Sequence, residues 1–450
     1  MRKIAAVLCL VLIGAAPPPS PDARLRAIVQ PVSQAEMRHT IETLVSFGTR
    51  HTLSSQTDPK RGIGAALNWT QGKFETFGLS TVRPCEMMTN QRVPTPTRVC
   101  DVVAIQRGTE RPNDVVVIQG HIDSRVTDIM NSTSDAPGAN DDGSGTAAVI
   151  EAARVLSKHK LPGTVVYATL SGEEQGLLGG KVLANYAKAQ GWNVVTVLNN
   201  DIIGNSCSSD GVCDSTHARV LSEGPRSQGQ TDLMAATHSL GGENDAPSRN
   251  ISRYLASLAG RLKVGLDVRQ IWRTDRFQRG GDHIPWLELG YPAARITVAI
   301  ENYNWQHQDL RTENGIKYGD TIDHVDFAYL AKMTKLNIAA LAAIAGAPPP
   351  PEPKVEGGVS TNTTVTWPSV ASASSYKVGW RRTDANSWEV SRAVPASACA
   401  DSCKLVLPHV RVDDWVFGVS SVGQDGFESP VASAVPGGAF HPYIAPQKKP

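Results

Sequence analysis

Apolar positions between residues 24 and 346 fall into two kinds of run, and the two kinds alternate along the chain. Short stretches with an apolar centre, Asp114–Gln119, Thr164–Leu170, Val194–Ile203 and Ala293–Ile300, read as buried strands. Longer stretches, Gly145–His159, Gly179–Gln190 and Tyr329–Ala345, carry the helical spacing. A strand, a crossing helix and a further strand in repeated order predict an α/β fold: a mostly parallel central sheet with helices on both faces.

Beyond residue 346 the pattern changes. Pro348–Pro353 can neither continue a helix nor pair in a sheet, so residues 347–353 read as a stiff extended linker. After it come period-two runs, Thr363–Trp367 and Tyr376–Trp380, separated by turn residues, which predict a small all-β sandwich. The spacing of Trp367, Tyr376, Val378, Trp415, Phe417 and Val419 ahead of Gly426 resembles a fibronectin type III domain over residues 354–437, with Trp367, Tyr376 and Trp415 as core aromatics. Residues 438–450 would be a tail.

The N-terminus adds a destination. Arg2 and Lys3 precede an apolar run, Ile4–Ala16, too short to span a bilayer and closed by small residues. It reads as a signal peptide of residues 1–16, with Ala23 as a second cleavage point because prolines begin at Pro17. Leu8 before Cys9 is not the small residue that a lipid-anchored signal wants, so the expectation is a secreted or periplasmic protein without a membrane anchor. Loss of the signal removes Cys9 and leaves three close pairs: Cys85 with Cys100, Cys207 with Cys213 and Cys399 with Cys403. None has the CxxC spacing of a zinc knuckle, and an even count in an exported chain reads as disulfides. A net charge of +1 gives no electrostatic reason to expect nucleic acid or an anionic membrane as a partner.

Candidate chemistry sits at the strand ends, the edge where open α/β sheets hold their ligands. Asp114–Gln119 runs into Gly120-His121-Ile122-Asp123, and the loop Gly138–Gly145 carries Asn140, Asp141 and Asp142 into a helix. Thr164–Leu170 runs into Ser171-Gly172-Glu173-Glu174, and the next strand delivers Asp201. Oxygen and imidazole donors of this kind suit divalent cations, and two ions ~3.5–4 Å apart can share one carboxylate. Asp141, in a glycine-flanked turn, suits the shared position, and Asp142 helps to hold the turn. Asp123, two residues past His121 on extended backbone, is placed to orient the imidazole. Glu173 and Glu174 are adjacent and point to opposite sides, which makes one a ligand and the other a base facing substrate. One acidic residue after a strand is ordinarily a helix cap or a solvated turn; several strand ends agreeing reverse that reading.

Together these motifs resemble the M28 family of zinc aminopeptidases over most of residues 35–346. The family's GHxD stands at Gly120–Asp123, its GAxDDxSG at Gly138–Gly145, its GEE at Gly172–Glu174 and its strand-end aspartate at Asp201. A histidine follows the segment Gly281-Asp282-His283-Ile284-Pro285. The resemblance implies two zinc ions, one on His121 and Asp201, the other on Glu174 and a downstream histidine, with Asp141 between them. His307 is preferred to His283 and His324 for the last position because it follows the strand Ala293–Ile300. Gln308 stands where the family often has threonine, and Gly281 where it usually has serine. The resemblance further implies that Glu173 is the general base, which takes a proton from the attacking water and returns it to the leaving amine. The expected substrates are peptides with a free N-terminus. Two alternatives are a single-zinc acyltransferase that cyclises N-terminal glutamine and a binding protein on the same scaffold. The intact Asp141–Asp142 pair argues against the first, and the complete donor set against the second.

Overall fold

The first folded unit of the computed structural model opens with helices α1 (Pro21–Val29), α2 (Gln34–Ser46) and α3 (Ile63–Thr76). Residues 19–224, 241–435 and 438–439 are described; the signal run Ile4–Ala16 and the tail after Ala439 lie outside them. Ala23, the second cleavage point, sits in the first turn of α1, where its N–H donates to the Ser20 hydroxyl.

Next come β1 (Ser80–Val82), the hairpin β2 (Cys85–Asn90) and β3 (Val93–Cys100), β4 (Val102–Gln106), β5 (Arg111–His121), α4 (Gly143–Leu156), β6 (Gly163–Leu170), α5 (Leu178–Ala189) and β7 (Asn193–Asn200). The unit continues through β8 (His217–Ser222), α6 (Pro247–Leu262), β9 (Asp267–Ile271), α7 (Ile284–Glu288), β10 (Ala293–Val298), the hairpin β11 (Arg311–Glu313) and β12 (Ile316–Tyr318), and α8 (Phe327–Gly346).

The central sheet has the order β1-β4-β6-β5-β7-β10-β8-β9. Its middle strands β6, β5, β7 and β10 run parallel, while β4 and β8 flank them antiparallel. Side chains alternate between the two faces, as strand geometry requires. Val116 and Ile118 of β5 join a core with α1–α4, α6 and α8, whereas Val115 and Val117 join a second core with Leu183 of α5 and Trp286 of α7. Because both faces are covered, all eight residues of β6 are buried. Helix α8 spans 20 residues and is apolar enough to cross a bilayer, yet it lies buried in this unit against α4 and α2.

The C-terminal unit is the expected β-sandwich. Strands β13 (Lys354–Glu356), β14 (Thr363–Pro368) and β17 (Ser402–Leu407) form one layer; β15 (Ser375–Arg382), β16 (Val390–Pro395), β18 (Trp415–Val422) and β19 (Ala432–Val435) form the other. One parallel pairing, Lys354 with Val435, joins the layers at their edge. Val365, Trp367, Tyr376, Val378, Phe417 and Val419 fill the space between. Trp415 is only half-buried, at the margin, with the Arg382 guanidinium over its ring.

The proline run does not hold this unit at a distance. Pro348, Pro351 and Pro353 are themselves buried, and Phe427 packs so closely on Gly346 that a Cβ there would lie 2.5 Å from its ring. Proline rings cannot join a sheet, but they are apolar and fill a seam well. Across the seam Arg381 pairs with Asp245 at 2.7 Å with both side chains inaccessible, and Asn250 Nδ2 donates to Ser433 Oγ at 2.8 Å. Arg381→Leu strands the Asp245 carboxylate in the seam, and loss of one partner of a buried pair costs about 3–5 kcal/mol. Denaturant unfolding should show a lower midpoint and a loss of unfolding free energy of that size; an unshifted midpoint would mean that the seam contributes little to stability.

Candidate metal centre

The parallel strands β5, β6 and β7 end at the same edge, with His121 opposite Leu170 and Gln119 opposite Asn199. The start of α4 is pressed into this edge, and two glycines permit it. A Cβ on Gly145 would meet the Asp142 carboxylate at 2.3 Å and the Asn200 carbonyl at 2.6 Å; one on Gly120 would meet the Gly145 backbone at 2.8 Å. Asp142 fastens the junction. Its Oδ1 accepts from the N–H groups of Gly145 (2.9 Å) and Ile202 (3.1 Å), and its Oδ2 accepts from the N–H of His121 (3.0 Å). One side chain thus caps α4 and ties it to the ends of β5 and β7.

The five expected donors come together as two triads that share Asp141. His121, Asp141 and Asp201 form one, and Asp141, Glu174 and His307 the other, with the donor atoms of each within 4.8 Å of one another. His121 Nε2 lies 3.1 Å from Asp141 Oδ1 and 3.8 Å from Asp201 Oδ1. His307 Nε2 lies 2.8 Å from Asp141 Oδ2 and 3.0 Å from Glu174 Oε1. His121 Nε2 and Glu174 Oε1 are buried without a hydrogen-bond partner. Buried polar atoms are rarely left so, and a set of lone pairs converging from imidazole and carboxylate is what a cation satisfies.

Electrostatics agree. Burial alone would discharge these groups, yet the carboxylates of Asp123, Asp141 and Asp201 raise the His121 imidazole well above its ordinary value. Against the same burial, Glu174 and Asp141 lift His307 to about 9. Asp141 is pulled well below the usual carboxylate range by His307 and His121, in spite of its burial. The cluster holds its negative charge, and a divalent ion would deepen that preference.

The other histidines are occupied elsewhere. His283 is fully buried, with Nε2 2.6 Å from the Thr274 carbonyl, and His324 stacks on Trp305 at 3.9 Å. Of the adjacent glutamates, Glu174 belongs to a triad and Glu173 does not, and both line the neighbouring cavity. Glu173 is pushed up by burial and by the carboxylates of Asp201, Glu174 and Asp282, with His121 opposing.

Asp123 has a second task beside the one expected of it. The His121 Nδ1 lies nearer the backbone carbonyl of Asp123, at 3.1 Å, than its carboxylate, at 3.5 Å. That carboxylate accepts the N–H groups of Glu173 (3.2 Å) and Glu174 (3.1 Å), so it fixes the glutamate pair.

Several supports carry no signal in the sequence. Asp320 accepts the N–H groups of Asn140 and Asp141, the latter at 2.7 Å, and burial pushes it up to about 7. Buried Arg50 donates to the carbonyls of Ile122, Pro137 and Gly138. Arg125 lies against both Glu174 (2.8 Å) and His307 (2.5 Å), and Arg295 lies 2.9 Å from Asp201. All are separated from their targets by long stretches of chain and stand in no recognisable motif.

The triads open on a cavity of about 470 Å³, walled by Glu173, Leu177, Arg92, Arg276 and Arg279 among others. The three cysteine pairs are bonded as expected: Cys85–Cys100 closes the β2–β3 hairpin, Cys207–Cys213 braces the loop after Asp201, and Cys399–Cys403 lies in the sandwich.

The sequence matches the description Peptidase family M28 over residues 101–340. It is 42% identical over 439 residues to a probable zinc metalloprotease of Leptosphaeria maculans, covering 93% of this chain and 98% of that one. A probable zinc metalloprotease of Pyricularia oryzae is 39% identical, with 93% and 85% covered. Among solved structures, the LapA aminopeptidase of Legionella pneumophila shares the fold with a TM-score of 0.50 and 21% identity, over 71% of this chain and 73% of that one. Motif, strand-end geometry and a match spanning all five donors of the two triads converge: the chain belongs to peptidase family M28.

Proposed function

We propose that this chain is a zinc-dependent aminopeptidase with two ions per chain, one on His121, Asp141 and Asp201 and one on Asp141, Glu174 and His307. The observation that carries the reading is the pair of triads sharing Asp141, with Glu173 beside them on the cavity wall. Mixed imidazole and carboxylate donors suit zinc, and the relatives bear the name of probable zinc metalloproteases. Zinc bound there would acidify a water and polarise the scissile carbonyl. Glu173 takes the proton from the attacking water and delivers it to the leaving amine. Asp123, through the N–H groups of Glu173 and Glu174, keeps base and ligand in fixed relation. A cavity of about 470 Å³ has the size of a small-ligand site, which suits the end of a peptide better than its middle.

Two further parts of the reading, export and the kinship of the C-terminal unit, have independent support. Three disulfides favour a protein that works outside a reducing cytoplasm, after loss of residues 1–16. The peptidase unit is taken as residues 24–346 and the linker as 347–353. The layers β13-β14-β17 and β16-β15-β18-β19 favour a fibronectin type III kinship for residues 354–437.

The test combines metal analysis with peptide cleavage. The purified chain is expected to carry about two zinc ions, and chelation to abolish release of the first amino acid from open but not blocked peptides. One ion per chain, or equal cleavage of blocked peptides, would overturn the proposal.

A further inference from the structure

The cavity beside the triads is unlike a site for an apolar residue. Among the described residues that wall it, Leu177 alone has an apolar side chain. Four guanidinium groups face the four carboxylates there: Arg92, Arg125, Arg276 and Arg279 against Asp141, Glu173, Glu174 and Asp201. Two of the four are already committed. Arg125 is used by Glu174 and His307, and Arg276 by Asp275, Glu301 and the Gly280 carbonyl.

Arg92 and Arg279 are not. Arg92 spends one nitrogen on the Glu174 carbonyl at 3.0 Å, and the Arg279 side chain has no ion pair or hydrogen bond among the described residues. Both are nonetheless held in place by their backbones. Arg92 sits at the tip of the β2–β3 hairpin, which Cys85–Cys100 closes and which Asn90 anchors by donating to the Gln175 carbonyl at 2.8 Å. Arg279 belongs to the loop whose neighbours Asp275 and Arg276 are pinned by Arg295 and Glu301. Braced loops that present unpaired guanidiniums to a cavity with a single apolar side chain form a receptor for a planar anion.

We infer that this site selects peptides bearing a carboxylate side chain on a residue flanking the scissile bond, with Arg92 and Arg279 as the groups that bind it. The inference rests on the aminopeptidase reading above and narrows its substrate class. A site arranged to hydrogen-bond a group discriminates strongly against substrates that lack it.

The experiment compares Glu-Ala-Ala and Ala-Glu-Ala with Leu-Ala-Ala on the zinc-loaded full chain. At least one acidic peptide should exceed Leu-Ala-Ala by about tenfold or more in kcat/KM, and in the double variant R92Q/R279Q that ratio should fall about tenfold. Calorimetry on Glu173→Gln supplies a readout free of turnover: the preferred acidic peptide should bind about tenfold tighter than Leu-Ala-Ala, and R92Q/R279Q added to that background should remove the difference. Tighter acidic binding with no hydrolysis of any peptide would sink the aminopeptidase reading, and with it the substrate class inferred here, while leaving Arg92 and Arg279 as a carboxylate-binding pair. Hydrolysis of Leu-Ala-Ala as fast as of both acidic peptides, or an undiminished acidic preference in R92Q/R279Q, would overturn the inference and leave the aminopeptidase reading standing.

Discussion

Glu173→Gln should retain its full complement of zinc and lose about 10²–10⁴-fold in kcat, the range that a positioned general base supplies. The reasoning is geometric. Glu173 belongs to neither triad, and it lines the cavity on which the donors Asp141, Glu174, Asp201 and His307 also open. Glutamine has the same shape and keeps the N–H that Asp123 accepts, so the glutamate segment should not move. What the amide lacks is a lone pair basic enough to take a proton from water. Metal content measured with single-turnover rates separates the two roles. A rate within about threefold of the parent enzyme would remove Glu173 from the base position.

Asp141→Ala is expected to act on the opposite quantity. Asp141 is the one residue common to both triads, with an oxygen 3.1 Å from His121 Nε2 and the other 2.8 Å from His307 Nε2. Its removal would take a donor from each triad and leave two imidazoles without the carboxylate between them. Loss of a supporting outer group typically costs about 10–100-fold in metal affinity, and loss of a shared ligand should exceed that. The variant should therefore leave a desalting column with far less than two zinc ions and with no measurable turnover, while circular dichroism still reports the α/β fold. Retention of two ions would show that Asp141 is not the bridge.

Much of this arrangement was legible because parallel strands covered on both faces must be apolar throughout, so their ends are marked by the first polar residues. His121, Asp201 and the Glu173-Glu174 pair stand at such ends, and the pairing of β5 with β6 and β7 then brings them side by side. Element limits were less exact where a side chain sets them. Helix α4 starts at Gly143 rather than Gly145 because Asp142 supplies the cap. A row of prolines marks backbone that joins neither helix nor sheet, but docking depends on what lies opposite, and nothing in it encodes Arg381 meeting Asp245. Arg50, Arg125 and Arg295 were invisible for a related reason. An arginine is ordinarily a solvated residue, and only the folded chain shows that these three are turned inward.

Asp320 bears on the order of events during synthesis. Its carboxylate receives the N–H of Asp141 across 179 positions of sequence. A nascent chain that has emerged as far as Ile300 displays His121, Asp141, Glu174 and Asp201 but has neither His307 nor the clamp at Asp320. It holds all of the His121, Asp141 and Asp201 triad but only two of the three donors of the other. The second triad is therefore completed late, and a chain broken off before His307 should lack the donor that the proposed two-ion chemistry requires.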